Sequence, residues 1–422
     1  MERTGAADYL AVRSATVANP SLNALAYSMF FVFGSVTSLN DVLMPKLKEL
    51  FQLNYAEMTL VQFCFFTSYA LVSIPAAYLI ESISYVRSAV VGLVLMAAGC
   101  LLFLPAAQMH SFTAFLGALF IIAAGVTVVQ VSANPLVMAL GSSTKTARRL
   151  TLAHACNSIG TVVAPYLGSI LILGAASRSS AQLTDVSVQE PPAAVISSVY
   201  VGIAATLLVV AFVAWTMRNQ IPHERVDRRG FFVAFELLRI ARVRFGIAAM
   251  FLYVGAEVAI GSLLVNYLSL PTTLNMSAES AGKHLTYYWG GLLVGRLCGL
   301  VVLRFVSASR LLVIGGSTAL GLVLLSICTT GGLSARSLLA VGLCNSIMFP
   351  LIFDLTARDL KEKTSEASGL ICVAIAGGAF VPLLTGRVAD LTSLGASLIV
   401  PATCYIGIAA FGWSARPRTE RN

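Results

Sequence analysis

Four charged side chains interrupt otherwise apolar runs of this 422-residue chain: Asp41, Glu257, Arg296 and Asp354. An ionised group at the centre of a bilayer costs at least about 2.5 to 3.5 kcal/mol, so each needs a partner or a water-filled cavity. Asp41 follows Asn40 and lies close to Ser38, two hydrogen-bonding neighbours. Glu257 sits in the middle of Tyr253-Val-Gly-Ala-Glu-Val-Ala-Ile-Gly261. A low-dielectric setting favours the neutral carboxyl, which suits a site that takes up and releases a proton or sodium ion. The competing reading is an ion pair that holds helices in register, for instance with Arg296, which itself fits either role. Asp354 lies four residues from Arg358, one helical turn away, and reads as a structural pair or a cytoplasmic gate.

Neutral polar groups form a second set. Gln130 and Asn134 are four residues apart, as are His154 and Ser158, with Asn157 between the latter. At helical spacing each set points to one face. Asn266, beside Tyr267, and Asn345 are their counterparts in the second half. Amides both donate and accept hydrogen bonds, which is what a ring of sugar hydroxyls requires. Tyr287, Tyr288 and Trp289 offer rings for a sugar's apolar face. The alternative for the amides is interhelical bonding, worth about 0.6 kcal/mol per bond. His154 reads equally as a packing histidine or as a ligand or proton site. No GxxxxGK[ST] cradle and no nucleophile or metal constellation is present, which argues against an enzyme, an ATP-driven pump and any cofactor beyond a coupling ion, H+ or Na+.

The elements that must position these residues follow from composition. Hydrophobic residues make up 57% of the chain and charged residues 11%, against roughly 25% charged in a soluble domain. The apolar residues cluster in runs of the length, about 20 residues, that crosses a bilayer as a helix; they lack the polar–apolar alternation of a membrane barrel. About twelve such spans are expected, in an all-α integral membrane protein. Placing the N-terminus in the cytoplasm puts roughly 21 of the 28 Lys and Arg residues inside. Both termini are then cytoplasmic, and the net charge of +9 reflects topology and lipid contact rather than a nucleic-acid partner. The basic stretch Arg218 to Arg244 divides the chain into a tail (1–20), a first bundle (21–217), a cytoplasmic linker (218–243), a second bundle (244–414) and a tail (415–422). The polar N-terminus lacks a cleavable signal pattern, so the first span is expected to be a retained anchor. All eight cysteines fall in apolar runs without CxxC spacing, so neither disulfides nor a metal site are expected.

The two halves repeat each other. Gly34-Ser35 corresponds to Gly261-Ser262, Gln130 before Pro135 to Asn345 before Pro350, and Gly160 before Pro165 to Gly377 before Pro382. The offsets are 227, 215 and 217 residues, as a parallel repeat requires. Two six-helix bundles around a central cavity are expected from this. Gly291, Gly295 and Gly299 give a small-residue face for close helix contact.

These stretches resemble the fucose–proton symporter family of the major facilitator superfamily. The resemblance is carried by Ser38-Leu-Asn-Asp41-Val-Leu, Gln130-Val-Ser-Ala-Asn-Pro135, Arg149-Leu-Thr-Leu-Ala-His-Ala-Cys-Asn157-Ser, Gly255-Ala-Glu-Val-Ala-Ile-Gly-Ser262, Tyr288-Trp-Gly-Gly with Gly295-Arg296, and Gly377-Gly-Ala-Phe-Val-Pro382. Gln130 and the Gly255–Ser262 stretch look like the glucose/galactose branch. The resemblance implies the major facilitator fold and alternating-access import of a monosaccharide, driven by a cation gradient across a bacterial cytoplasmic membrane. It implies coupling at Asp41, with Glu257 supplying a second acid where the fucose branch has a glutamate in place of Gln130. Substrate contacts are expected from Asn40, Gln130, Asn134, His154, Asn157, Asn266, Trp289, Arg296 and Asn345, and gating from Asp354 and Arg358. His154 stands where relatives have Gln, and Asp354 replaces a small or hydroxylated residue. The expected partners are the sugar and membrane lipid, with the chain a monomer. An uncoupled facilitator, a non-sugar exporter and a transporter-fold sensor are the alternatives.

Overall fold

The computed structural model describes residues 20–51, 55–109, 111–141, 145–181, 192–220, 233–276, 278–360 and 363–416; within helices, the backbone alone is described at 39–51, 55–62, 107, 165–181, 192–197, 233–234, 278–279 and 282. All regular structure in these residues is helical, as it must be where lipid offers the backbone no hydrogen-bond partner. The helices are α1 (Pro20–Phe51), α2 (Tyr55–Ile83), α3 (Tyr85–Gln108), α4 (Phe112–Ala139), α5 (Thr146–Ala181) and α6 (Pro192–Thr216). After a short helical turn at Val233–Glu236 and Leu237–Arg239 come α7 (Ala241–Leu268), α8 (Ala278–Val302), α9 (Ala308–Cys328), α10 (Gly331–Asn345), α11 (Met348–Ala357), α12 (Thr364–Val373), α13 (Gly377–Leu391) and α14 (Ile399–Ser414). Ten segments among the described residues are long and apolar enough to cross a membrane, with Gly331–Ala357 and Thr364–Leu391 each counting as one broken span. The long helices α1 and α5, of 32 and 36 residues, stand in addition to these ten.

The chain divides into two compact units, Met1–Gly141 with Cys156–Arg228, and Ser142–Ala155 with Arg229–Asn422. The division falls inside α5, whose first residues group with the second unit.

In the first unit α4 is the central element, buried almost continuously from Ile122 to Val137 and packed on α3, α2 and α1. Its contact with α3 depends on two glycines. A β-carbon on Gly92 would stand 2.8 Å from the Gly125 carbonyl oxygen, and one on Gly125 would stand 2.6 Å from the Gly92 carbonyl oxygen. Without side chains the two backbones touch, which is how membrane helices gain contact when apolar burial offers little net drive. Phe103 stacks on Tyr200 at 4.2 Å and meets Phe115 edge-on at 5.1 Å, tying α3 to α6 and α4.

In the second unit α7 takes the central place, packed on α13, α14, α11 and α8. The expected small-residue face of α8 is used: a β-carbon on Gly295 would lie 2.6 Å from the Leu343 carbonyl oxygen, and Gly299 lies against Ile347. The two units share one further device. Gly160 of α5 sits on the Phe31 carbonyl of α1, and Gly377 of α13 sits on the Phe251 carbonyl of α7.

Candidate functional site

The break between α10 and α11 organises the polar residues of the second unit. Pro350 has no N–H, so the carbonyl of Ser346, four residues earlier, loses its usual helical donor. Arg296 of α8 supplies one instead, its Nε donating to the Ser346 oxygen at 3.0 Å. The same guanidinium donates through Nη1 to the His154 carbonyl at 2.9 Å. Arg296 is 7% exposed and His154 4%. The His154 ring lies against Phe349, centroids 4.6 Å apart. Thus Arg296 and His154, both expected at the substrate, are brought together, and in this arrangement the arginine serves backbone carbonyls.

Glu257 lies at the middle of α7 and is only part-buried. Tyr253, one turn earlier, donates its hydroxyl to Glu257 Oε1 at 2.9 Å. The Arg296 guanidinium acts on this carboxyl electrostatically from α8. Among the described residues no hydrogen-bond donor to Oε2 is found. On the backbone side, Tyr288 donates to the Glu257 carbonyl at 3.2 Å. Tyr288 in turn accepts from Asn345 Nδ2 at 2.9 Å, and Asn345 Oδ1 accepts from Tyr405 at 2.8 Å. Asn345 is fully buried and committed to two tyrosines, whereas Trp289 and Asn266 are exposed on their helices. Trp289 also meets Tyr288 edge-on at 5.3 Å.

At the end of α11, Arg358 pairs with the buried carboxylate of Asp354, and Arg242 donates to the Leu355 carbonyl and reaches Asp359 at 3.3 Å. Arg242 and Arg149 also act on Asp354 electrostatically. The predicted Asp354–Arg358 pair is therefore formed, within a wider basic cluster.

In the first unit, Tyr69 donates to Gln130 Oε1 at 3.0 Å, joining α2 to α4. Asn134 Nδ2 donates to the Gln130 carbonyl at 2.8 Å, while its buried Oδ1 has no hydrogen-bond partner among the described residues. Asn157 Nδ2 donates to the Phe30 carbonyl at 3.2 Å and packs on Gly34. Asn40 and Asp41 lie on α1, but their side chains fall outside the described residues.

Tyr69 and Tyr405 carry no local signal of a polar role in the sequence, and Tyr253 appears there only as the first residue of the Glu257 stretch. For Tyr253 a signal was present, because its spacing of four from Glu257 places both on one helix face. Tyr69 and Tyr405 meet their partners only through the tertiary fold.

Comparison with known proteins shows the family to which this fold belongs. The Major Facilitator Superfamily profile matches residues 26–382. The "Glucose/galactose transporter" of Brucella abortus biovar 1 (strain 9-941) is 42% identical over 384 residues, 91% of each chain. The "L-fucose-proton symporter" of Escherichia coli (strain K12) is 32% identical over 407 residues, covering 92% of this chain and 91% of that one. The crystal structure of FucP, a major facilitator transporter in the outward conformation, superposes with a TM-score of 0.83 at 29% identity, covering 95% of this chain and all of that one. The chain belongs to the major facilitator superfamily, within its fucose–proton symporter and glucose/galactose transporter branch, and is a multi-pass membrane transporter rather than an enzyme.

Proposed function

We propose that this protein imports a glucose- or galactose-like hexose by alternating access, coupled to a proton or sodium gradient across a bacterial cytoplasmic membrane. In this reading α1 and α5 complete the ten apolar segments to twelve spans in two bundles of six, with both termini cytoplasmic and the transporter a monomer. The observation that carries it is Glu257: a part-buried carboxyl in mid-helix, one oxygen held by Tyr253 and the other without a protein donor among the described residues. A carboxyl so placed is costly unless it is used or satisfied. The names of the relatives point to hexoses, and the amide-bearing residues Gln130, Asn134 and Asn157 supply the donors and acceptors a sugar requires. Asp41 is the second coupling group in this proposal, and Asn40, His154, Asn266, Trp289 and Arg296 are further candidates for the sugar's surroundings, whereas the Asn345 amide is engaged at both ends by tyrosines.

The hydrogen bond from Tyr253 also fits a second reading, an uncoupled hexose facilitator in which Glu257 is structural. Uptake of radiolabelled hexoses into proteoliposomes under separate pH, sodium and voltage gradients decides between them. Accumulation above equilibrium under one of these gradients supports coupling. Equilibration at the same level under all of them supports the facilitator, and no hexose uptake at all refutes both.

A further inference from the structure

We infer that Tyr405 and Asn345 are positioning residues for Glu257, acting through Tyr288 as a hydrogen-bond relay of fixed direction. The direction follows from counting protons. A tyrosine hydroxyl has one proton, and that of Tyr405 goes to Asn345 Oδ1 at 2.8 Å. This orients the amide, so that Nδ2 faces the Tyr288 oxygen at 2.9 Å and donates to it. Tyr288, having accepted, sends its own proton to the Glu257 carbonyl at 3.2 Å. Tyr288, Asn345 and Tyr405 are each fully buried, so an unmade bond in the series has no water to replace it.

The relay gathers three helices onto one residue of a fourth. Tyr405 belongs to α14, Asn345 to α10, Tyr288 to α8 and Glu257 to α7. Among the described residues, the charged and titratable groups that interact electrostatically with Glu257 are Tyr253 from its own helix, Tyr288 and Arg296 from α8 and Tyr405 from α14. The faces that α11 and α13 present to this part of α7 are apolar, with Phe349 against Tyr253 and Val381 over Gly255. Two bonds thus fix Glu257, the Tyr253 hydroxyl on its carboxyl and the relay on its carbonyl. The relay also gives Asn345 a role other than binding sugar, since both ends of its amide are engaged by protein.

The inference rests on Glu257 as the coupling group, and the test separates the two. Concentrative uptake of radiolabelled D-galactose is measured against pH and against sodium for wild type, Tyr405→Phe, Asn345→Asp and Glu257→Gln, with sugar counterflow as the measure of folded transporter. Tyr405→Phe removes the first donor without changing shape. It is expected to keep counterflow and to shift the coupling-cation dependence on the order of five-fold, the factor one net hydrogen bond is worth. Once ionised, the side chain introduced by Asn345→Asp cannot donate to Tyr288, which then turns its proton towards the carboxylate and releases the Glu257 carbonyl; its shift is expected at the alkaline end of the pH series and to be at least as large there. An unchanged cation dependence in Tyr405→Phe overturns the relay, as does loss of counterflow in a thermally stable Asn345→Asp, which would place that amide on the sugar. If Tyr405→Phe lacks counterflow, Asn345→Asp is read by the same criterion. Full accumulation by Glu257→Gln removes the coupling reading itself, whatever the relay variants do.

Discussion

Replacing Arg296 with methionine tests whether the α10–α11 break is held by a side chain standing in for a missing backbone donor. Methionine keeps the length and apolar stem but removes both donors. The Ser346 carbonyl then has neither Arg296 nor a helical N–H, because Pro350 stands where that N–H would be. Leaving a buried acceptor unsatisfied costs about 1 to 3 kcal/mol. The His154 carbonyl costs less to abandon, since it lies inside α5 and has the helix's own bonding ladder. Pro350→Ala restores the N–H at the required position, so in the double variant Ser346 regains a partner. The expected coupling energy is therefore about 1 to 2 kcal/mol, with Arg296→Met/Pro350→Ala more stable than the two single effects added together. Equilibrium unfolding in mixed detergent micelles, followed by the fluorescence of the three tryptophans, measures this. Independent sites add within about 0.5 kcal/mol. Additivity within that margin would refute the stand-in role of Arg296.

Other expectations follow from the same geometry. Arg358→Met should destabilise more than Asp354→Asn, by about 2 to 3 kcal/mol in the same unfolding assay, because it leaves a buried carboxylate behind while Arg358 itself reaches solvent; the reverse order would contradict the pairing. Gly295→Leu should abolish folded protein by size-exclusion profile, since even a β-carbon would stand 2.6 Å from the Leu343 carbonyl oxygen. Gly117→Ala, with nothing within 4 Å, should be silent. Tyr69→Phe should raise the KM for hexose uptake on the order of five-fold, the worth of one hydrogen bond, by freeing the Gln130 amide; an unchanged KM would remove Gln130 from the sugar's surroundings.

What was legible in the sequence follows from length and local spacing. A run of apolar residues long enough to span a bilayer can form little but a helix, so the apolar segments read directly. The Gly291, Gly295 and Gly299 stripe and the Asp354–Arg358 turn were legible for the same reason: both are i,i+4 patterns that a helix places on one face. Pro350 was visible as a motif residue, but not the identity of the group that would satisfy the carbonyl it frees. That depended on α8 lying beside the break. Asn345 shows the limit most clearly. Its amide reads as a sugar ligand until Tyr288 and Tyr405, 57 and 60 residues away in sequence, are seen to hold both ends. A tyrosine in an apolar run looks like packing, and only the fold shows where its hydroxyl goes.

The most direct test is the steady-state accumulation of D-galactose by wild type and Glu257→Gln in proteoliposomes held 100 mV negative inside. One positive charge entering with each sugar is worth about 2.3 kcal/mol, or roughly fifty-fold accumulation at the limit. Glutamine keeps the acceptor for Tyr253 while removing the exchangeable charge. The account predicts that wild type concentrates the sugar towards that limit and that Glu257→Gln stops near an inside-to-outside ratio of one. Equal accumulation by the two proteins, or none by wild type under any gradient, would contradict it.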